Sequence, residues 1–182
     1  VPTIRDDMML FARTSEQLRE QADHNTGSIN VDAMIDLCLL NRTLRFNRIA
    51  EVGTFIGNST RAMAHGNLSS HIDTCDSQND IEIPDRHNQI TQHPRVASTE
   101  MFEKFAQPFD FIYLDGRLNE VESLRPCVTN KTIIGFDDFV GYEKGVTNMA
   151  QVHALLPEHW LIYEPNRIAL LVNPAIFNYR PQ

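Results

Sequence analysis

Five carboxylates in this chain stand where a short apolar run stops. Glu51 lies near the end of Arg48–Val52, Asp76 ends His71–Asp76, Asp115 follows Phe109–Leu114, and Asp137 and Asp138 follow Thr132–Phe136. Buried strands that finish on acids line those acids along one edge of a sheet, and open α/β folds receive ligands at that edge. Asp115, Asp137 and Asp138 would repel one another at close quarters unless a cation or a proton intervenes. Oxygen-only donors with open positions suit Mg2+ or another hard divalent ion.

The second chemical signal is the pair Gly53 and Gly57, set between Glu51 and a helical stretch. A strand that runs into a glycine turn opening a helix lets the backbone approach a ligand and aims N–H groups at it. The spacing differs from the G-x-G-x-x-G of dinucleotide enzymes. An acid two residues before the first glycine is also unlike such a loop, and it can accept a hydrogen bond from a cationic amino-acid group. A plain strand–helix turn would need the same glycines for its geometry.

Glu51-Val-Gly53-Thr-Phe-Ile-Gly57-Asn-Ser59 resembles motif I of class I methyltransferases, E/D-x-G-x-x-x-G. More narrowly, the chain is similar over about residues 25–175 to the small O-methyltransferases of the catechol, caffeoyl-CoA and macrocin type. The resemblance implies that Glu51, Gly53, Thr54, Phe55, Gly57 and Ser59 hold the methionine part of S-adenosylmethionine. It gives Asp76 the ribose hydroxyls, with Asp73 as the alternative on that strand, and gives Ser98 or Thr99 the adenine. Phe109-Asp-Phe-Ile-Tyr-Leu-Asp115 resembles the strand-four motif and Gly135-Phe-Asp-Asp138 the strand-five motif. By that resemblance Asp115 borders the cofactor, and Asp115, Asp137 and Asp138 ligate Mg2+, which would acidify and orient an acceptor hydroxyl.

One departure bears on catalysis. Catechol-type enzymes carry a lysine base three positions after the strand-four aspartate, and Leu118 stands there. Arg117 is a poor base because its guanidinium stays protonated. The remaining candidates for catalytic residues are Asp115, Asp138 and Lys144, or a histidine from elsewhere. Tyr142 and Lys144, in Gly141-Tyr-Glu-Lys-Gly145, lie in what resembles the substrate-side loop.

The elements that must position these groups alternate between helix and strand, which favours α/β. Thr14-Ser-Glu-Gln17 reads as the capping-box start of a polar helix reaching about Ala22, and Asn25-Thr-Gly27 as a turn. Val31, Met34, Leu37 and Cys38 recur at helical spacing. A helix is expected from Asn58 to His65 with Gly66 as its C-cap, and Ser77–Pro94 reads mostly as loop. Ser98 or Thr99 would cap a short helix carrying Met101, Phe102 and Phe105. Another helix starts at Asn119-Glu-Val-Glu122, and Gly145–Leu156 places Val146, Met149, Ala150 and His153 on one face, with His153 in the core. Trp160–Tyr163 and Ile168–Val172 form an antiparallel hairpin around Glu164-Pro-Asn-Arg167, with Trp160 buried.

Composition narrows the function class. The chain has 182 residues, 42% of them apolar, the size of one domain with a substantial core. A net charge of −8 with dispersed basic residues argues against nucleic acid as the main partner. No apolar run is long enough to span a bilayer. Cys38, Cys75 and Cys127 are scattered, which fits core residues in a reducing, cytoplasmic setting rather than a disulfide or zinc framework.

The expected fold is a single Rossmann-like domain over residues 1–182, a three-layer α/β/α sandwich with residues 1–30 as a helical extension and 48–172 as the core. The resemblance implies a mainly parallel seven-stranded sheet of order 3-2-1-4-5-7-6. The expected activity is O-methylation of a small molecule with vicinal hydroxyls, assisted by the metal. A metal-independent methyltransferase and a binding module without turnover are the alternatives. Pro2–Ala22 would form a lid or a homodimer contact.

Overall fold

The computed structural model describes residues 2–24, 27–85, 87, 89–139, 141–164 and 168–177, without the side chains of 142, 143 and 177. Asn25, Thr26 and the hairpin turn at 165–167 lie outside the described residues, as does any side-chain contact of Tyr142.

Seven strands, β1 (Arg48–Val52), β2 (His71–Asp76), β3 (Ile90–Pro94), β4 (Phe111–Leu114), β5 (Ile133–Phe136), β6 (Trp160–Ile162) and β7 (Ala169–Val172), form one sheet of order β3-β2-β1-β4-β5-β7-β6. The first five run parallel, and β7 is antiparallel to both β5 and β6. This is the Rossmann-like order expected. Parallel strands covered on both faces read as unbroken apolar runs, and every residue of β4 and β5 is buried.

Side chains alternate across a strand, so the sheet divides the core in two. Ile49, Ile72, Phe111, Tyr113 and Ile133 pack with Met8 of α1 (Ile4–Glu16), Met34 and Leu37 of α2 (Val31–Leu44) and Met63 of α3 (Asn58–Gly66). Ala50, Val52, Ile112, Leu114 and Phe136 face the other way. They pack with Met101 and Phe102 of α4 (Ser98–Phe102), Leu124 of the 3-10 segment Val121–Cys127, and Val152 of α5 (Thr147–Leu155). Burying these faces, at roughly 25 cal/mol per Å² of apolar area, is what holds the three layers together. All three cysteines are free and buried.

Several local expectations are corrected. The capping box of α1 is Thr3 with Asp6, not Thr14 with Gln17. Thr14 lies inside the helix, where its hydroxyl bonds back to the Leu10 carbonyl at 3.0 Å. Gly66 is not a left-handed cap. It is the last residue of α3, and a Cβ there would collide with the Cys38 carbonyl of α2. Neither Ser98 nor Thr99 caps α4, whose N-cap is Ala97. The segment Val121–Cys127 is 3-10 helix with Pro126 inside it. A π-helical turn, Tyr142–Val146, precedes α5, and Asn148 and Val152 rather than His153 are its buried residues. His153 is exposed. Trp160 is 57% exposed because β6 is an outer strand.

No helix among the described residues is long and apolar enough to cross a membrane.

Candidate functional site

One rung of the sheet is polar. Gln92, Thr74, Glu51, Tyr113 and Gly135 lie in register across β3, β2, β1, β4 and β5. They share the face that carries α3. Glu51 is fully buried. Its Oε2 accepts from the Thr60 hydroxyl at 2.5 Å and the Thr74 hydroxyl at 2.6 Å, and Thr54 and Thr74 meet at 2.6 Å. Burial pushes the Glu51 carboxyl up to about 7, against the pull of the Ser59, Thr60 and Thr74 hydroxyls. Its Oε1 is buried without a hydrogen-bond partner, as is Asn58 Oδ1 in the first turn of α3, while the buried Tyr113 side chain of the adjacent strand interacts with Asp137. Orphaned buried polar atoms are rare and mark a missing water or ligand. Gly135 completes the rung because a Cβ there would press into the rings of Phe111 and Tyr113.

Above Glu51 the chain turns sharply. Gly53 and Gly57 have φ of 101° and 77°, and Phe55 between them has φ of 43°. Left-handed backbone favours glycine at the first two positions and strains the third. The N–H groups of this turn serve the protein itself. Gly53 and Thr54 donate to the Cys75 carbonyl at 2.8 and 3.2 Å, and Gly57 donates to Thr54 O at 2.8 Å. The Phe55 N–H donates to Asp76 Oδ2 at 2.9 Å.

Asp76 therefore stands at the tip of β2 as expected, and it is committed there. Its Oδ1 also accepts from the N–H groups of Gln78 and Asn79, both at 2.8 Å. Asp73 is buried three strand positions earlier and pairs with His93 at 3.1 Å, away from the turn. Ser98 is buried and holds Asn119, with its hydroxyl 3.0 Å from Asn119 Oδ1 and 3.1 Å from the Asn119 N–H. The Thr99 hydroxyl is buried without a partner. Ile83 packs directly over Gly57 in an apolar cluster with Phe55, Ile56 and Ile81. The cavity bounded by Thr54, Phe55, Asp76 and Gln92 is about 10 Å³, room for roughly one water.

The strand-four and strand-five acids converge. Asp115 leaves β4 beside the turn, where its N–H and that of Gly116 both donate to Val52 O. Asn148 of α5 clamps the next residues. It accepts from the Leu118 N–H at 3.1 Å and donates to Gly116 O at 2.9 Å. Leu118 itself is a core side chain.

Lys144 was expected as a possible base. Its Nζ instead donates to Asp115 O at 2.7 Å and Asp115 Oδ1 at 2.6 Å and pairs with Asp138 Oδ2 at 3.1 Å, with Asp137 Oδ2 at 3.8 Å. An ammonium has three donors, and three short contacts use them. Burial opposes this charge, but the attraction of Asp115 and Asp138 outweighs it and holds Lys144 above its ordinary pKa. It is a cation at neutral pH rather than a base. Burial and neighbouring Asp137 push Asp115 up to about 8 despite Lys144. Burial and Asp138 likewise raise Asp137. Two carboxyls in one site share a proton in this way.

Among the described residues no group of three or more His, Cys, Asp or Glu side chains could hold a metal ion. The lysine ammonium lies among the three aspartates where the ion was expected. Sequence reasoning also missed Asn148, Thr60, Thr74 and Tyr113. A polar residue at an inward position of an otherwise apolar strand was the available signal for Thr74 and Tyr113.

No protein-family model matches the chain, and no curated protein does. Solved structures do. The O-methyltransferase TomG of Streptomyces achromogenes, involved in tomaymycin synthesis and in complex with S-adenosylmethionine, superposes with a TM-score of 0.62 at 15% identity, over 90% of this chain and 89% of that one. A methyltransferase of Podospora anserina with bound S-adenosylhomocysteine gives 0.60 at 13% identity, over 94% and 88%. The Bacillus cereus O-methyltransferase in complex with the same product gives 0.56 at 16% identity, over 91% and 90%. These likenesses establish the fold, which this chain shares with those methyltransferases.

Proposed function

We propose that the chain binds S-adenosylmethionine at the Gly53–Gly57 turn and methylates an oxygen of a small molecule without a divalent metal. The observation that carries this reading is Glu51, near the end of β1 and two residues before Gly53. It is fully buried, yet its Oε1 has no hydrogen-bond partner. The likeness to cofactor-bound O-methyltransferases supports it.

When bound, the cofactor supplies an electrophilic methyl group on a sulfonium. Glu51 Oε1 is then the acceptor for the cationic amino group at the floor of the site. The mouth is acidic, with Asp138 the most exposed of its carboxylates at 63%. A net negative rim favours neutral or cationic acceptors over anionic ones. With Lys144 among the aspartates there is no ion for a vicinal diol to chelate, so one hydroxyl suffices. Asp138 is the carboxylate placed to receive its proton, and alignment of hydroxyl and methyl supplies most of the acceleration.

Release of S-adenosylhomocysteine across a panel of phenols, catechols and sugars, in EDTA and in Mg2+, tests this reading. Turnover in EDTA on at least one neutral hydroxyl compound is expected. Turnover that needs Mg2+ would contradict it.

A second reading is a binding module without turnover. The specific observation in its favour is Ile83 seated on Gly57, which leaves the turn almost no open volume. Cofactor binding without product under every condition of the panel would select it.

A further inference from the structure

We infer that the Lys144 ammonium is a resident counter-ion that takes the place of a divalent cation among Asp115, Asp137 and Asp138, so that lysine and metal compete for one position. The inference concerns only this cluster and does not depend on methyl transfer.

Three features build the arrangement. First, the chain after β5 is folded back tightly to present the lysine. Asp138 has φ of 47°, the Gly141 N–H donates to its carbonyl at 2.6 Å, and Gly145 packs on that same carbonyl where a Cβ could not fit. A non-glycine residue persists in left-handed backbone only where its surroundings demand it. Second, Asn148 ties α5 to the exit of β4 through Gly116 and Leu118, which brings Lys144 to Asp115 across 29 residues of chain. Third, the ammonium is fully coordinated by oxygen, with one backbone carbonyl and two carboxylates within 3.1 Å and a third carboxylate at 3.8 Å. Carboxylates with a carbonyl are the donor set of a hard cation, and the protein supplies that cation from its own chain.

Two charges cannot share this position. With Lys144 in place, an incoming ion meets a positive centre whose ligands are already used. With Lys144 removed, the three carboxyl groups lose their ammonium partner, an incoming ion can displace the proton they share, and Asp138 is exposed enough to move onto that ion.

Mn2+ titration followed by electron paramagnetic resonance separates the possibilities. Wild type is expected to show no Mn2+ binding that Asp137→Asn abolishes. Lys144→Ala is expected to bind Mn2+ at least about 10-fold more tightly than wild type, to lose that gain in the Lys144→Ala/Asp137→Asn double variant, and to melt at higher temperature with Mn2+ present. Lys144→Arg, which keeps the charge, should behave as wild type. If Lys144→Ala does not fold in chelator, Mn2+ added during refolding should restore its circular dichroism. Equal Mn2+ affinity in wild type and a folded Lys144→Ala would overturn the inference, as would a chelator-unfolded variant that Mn2+ fails to rescue.

Discussion

Thr74 on β2 donates its hydroxyl to Glu51 on β1 at 2.6 Å, across a parallel pair in which the two residues are register partners. A fully buried glutamate is thus held by hydroxyls and not by a positive charge. Its carboxyl, at about 7 in the folded protein against 4.5 in the open chain, is protonated more readily when folded. The folded state binds the extra proton between those values, so this contribution is present below about 4.5 and is lost as pH rises through 7. Wild type should lose on the order of 3 kcal/mol of stability from this group across that window. In Glu51→Gln, urea midpoints measured from pH 4.5 to 7.5 should show a visibly flatter profile. A variant profile as steep as wild type would remove Glu51 from the account.

Asp76 organises the turn before it can serve any ligand. Three backbone N–H groups, on Phe55, Gln78 and Asn79, depend on its carboxylate. Asp76→Ala should cost about 1–3 kcal/mol and accelerate hydrogen exchange at those amides. Asp73→Asn, away from the turn, should leave their exchange unchanged.

Gly145 has no room for a side chain beside Asp138. Gly145→Ala should destabilise by about 1–3 kcal/mol through overpacking, read from denaturant unfolding. Because it displaces the Lys144 turn, it should also sensitise the protein to Mn2+ in the same direction as Lys144→Ala.

The strands and the acids at their tips were legible because both are local, whereas the order of the strands, which is not local, came from the resemblance. An apolar run followed by Asp or Asn-like turn chemistry marks a strand end without knowledge of its neighbours. Asp115, Asp137 and Asp138 do converge, as their positions at adjacent strand ends required. What fills the space between them was not legible, because Lys144 reaches it only through a π-helical turn and the Asn148 clamp, neither of which has a periodic signature. The capping box was misplaced for a simpler reason. Thr3-x-x-Asp6 and Thr14-x-x-Gln17 offer the same hydrogen bonds, and only the packing of Met8 against α2 chooses between them. Trp160 went wrong because hydrophobicity alone does not say which strand lies outermost.

Leu118 stands where the resemblance leads one to look for a lysine base, but its side chain belongs to the core that faces α5. Leu118→Lys should therefore lower stability by several kcal/mol, since an unpaired ammonium would be buried. It should not raise the rate of S-adenosylhomocysteine release. A folded Leu118→Lys protein with enhanced turnover would show that the position faces the acceptor after all.

Calorimetric titration of the full chain with S-adenosylmethionine tests the central claim most directly. Saturable one-site binding in EDTA is expected, weakened at least about 10-fold in Glu51→Gln and unaffected by added Mg2+. No binding heat and no thermal shift at millimolar cofactor, with the protein folded, would contradict it.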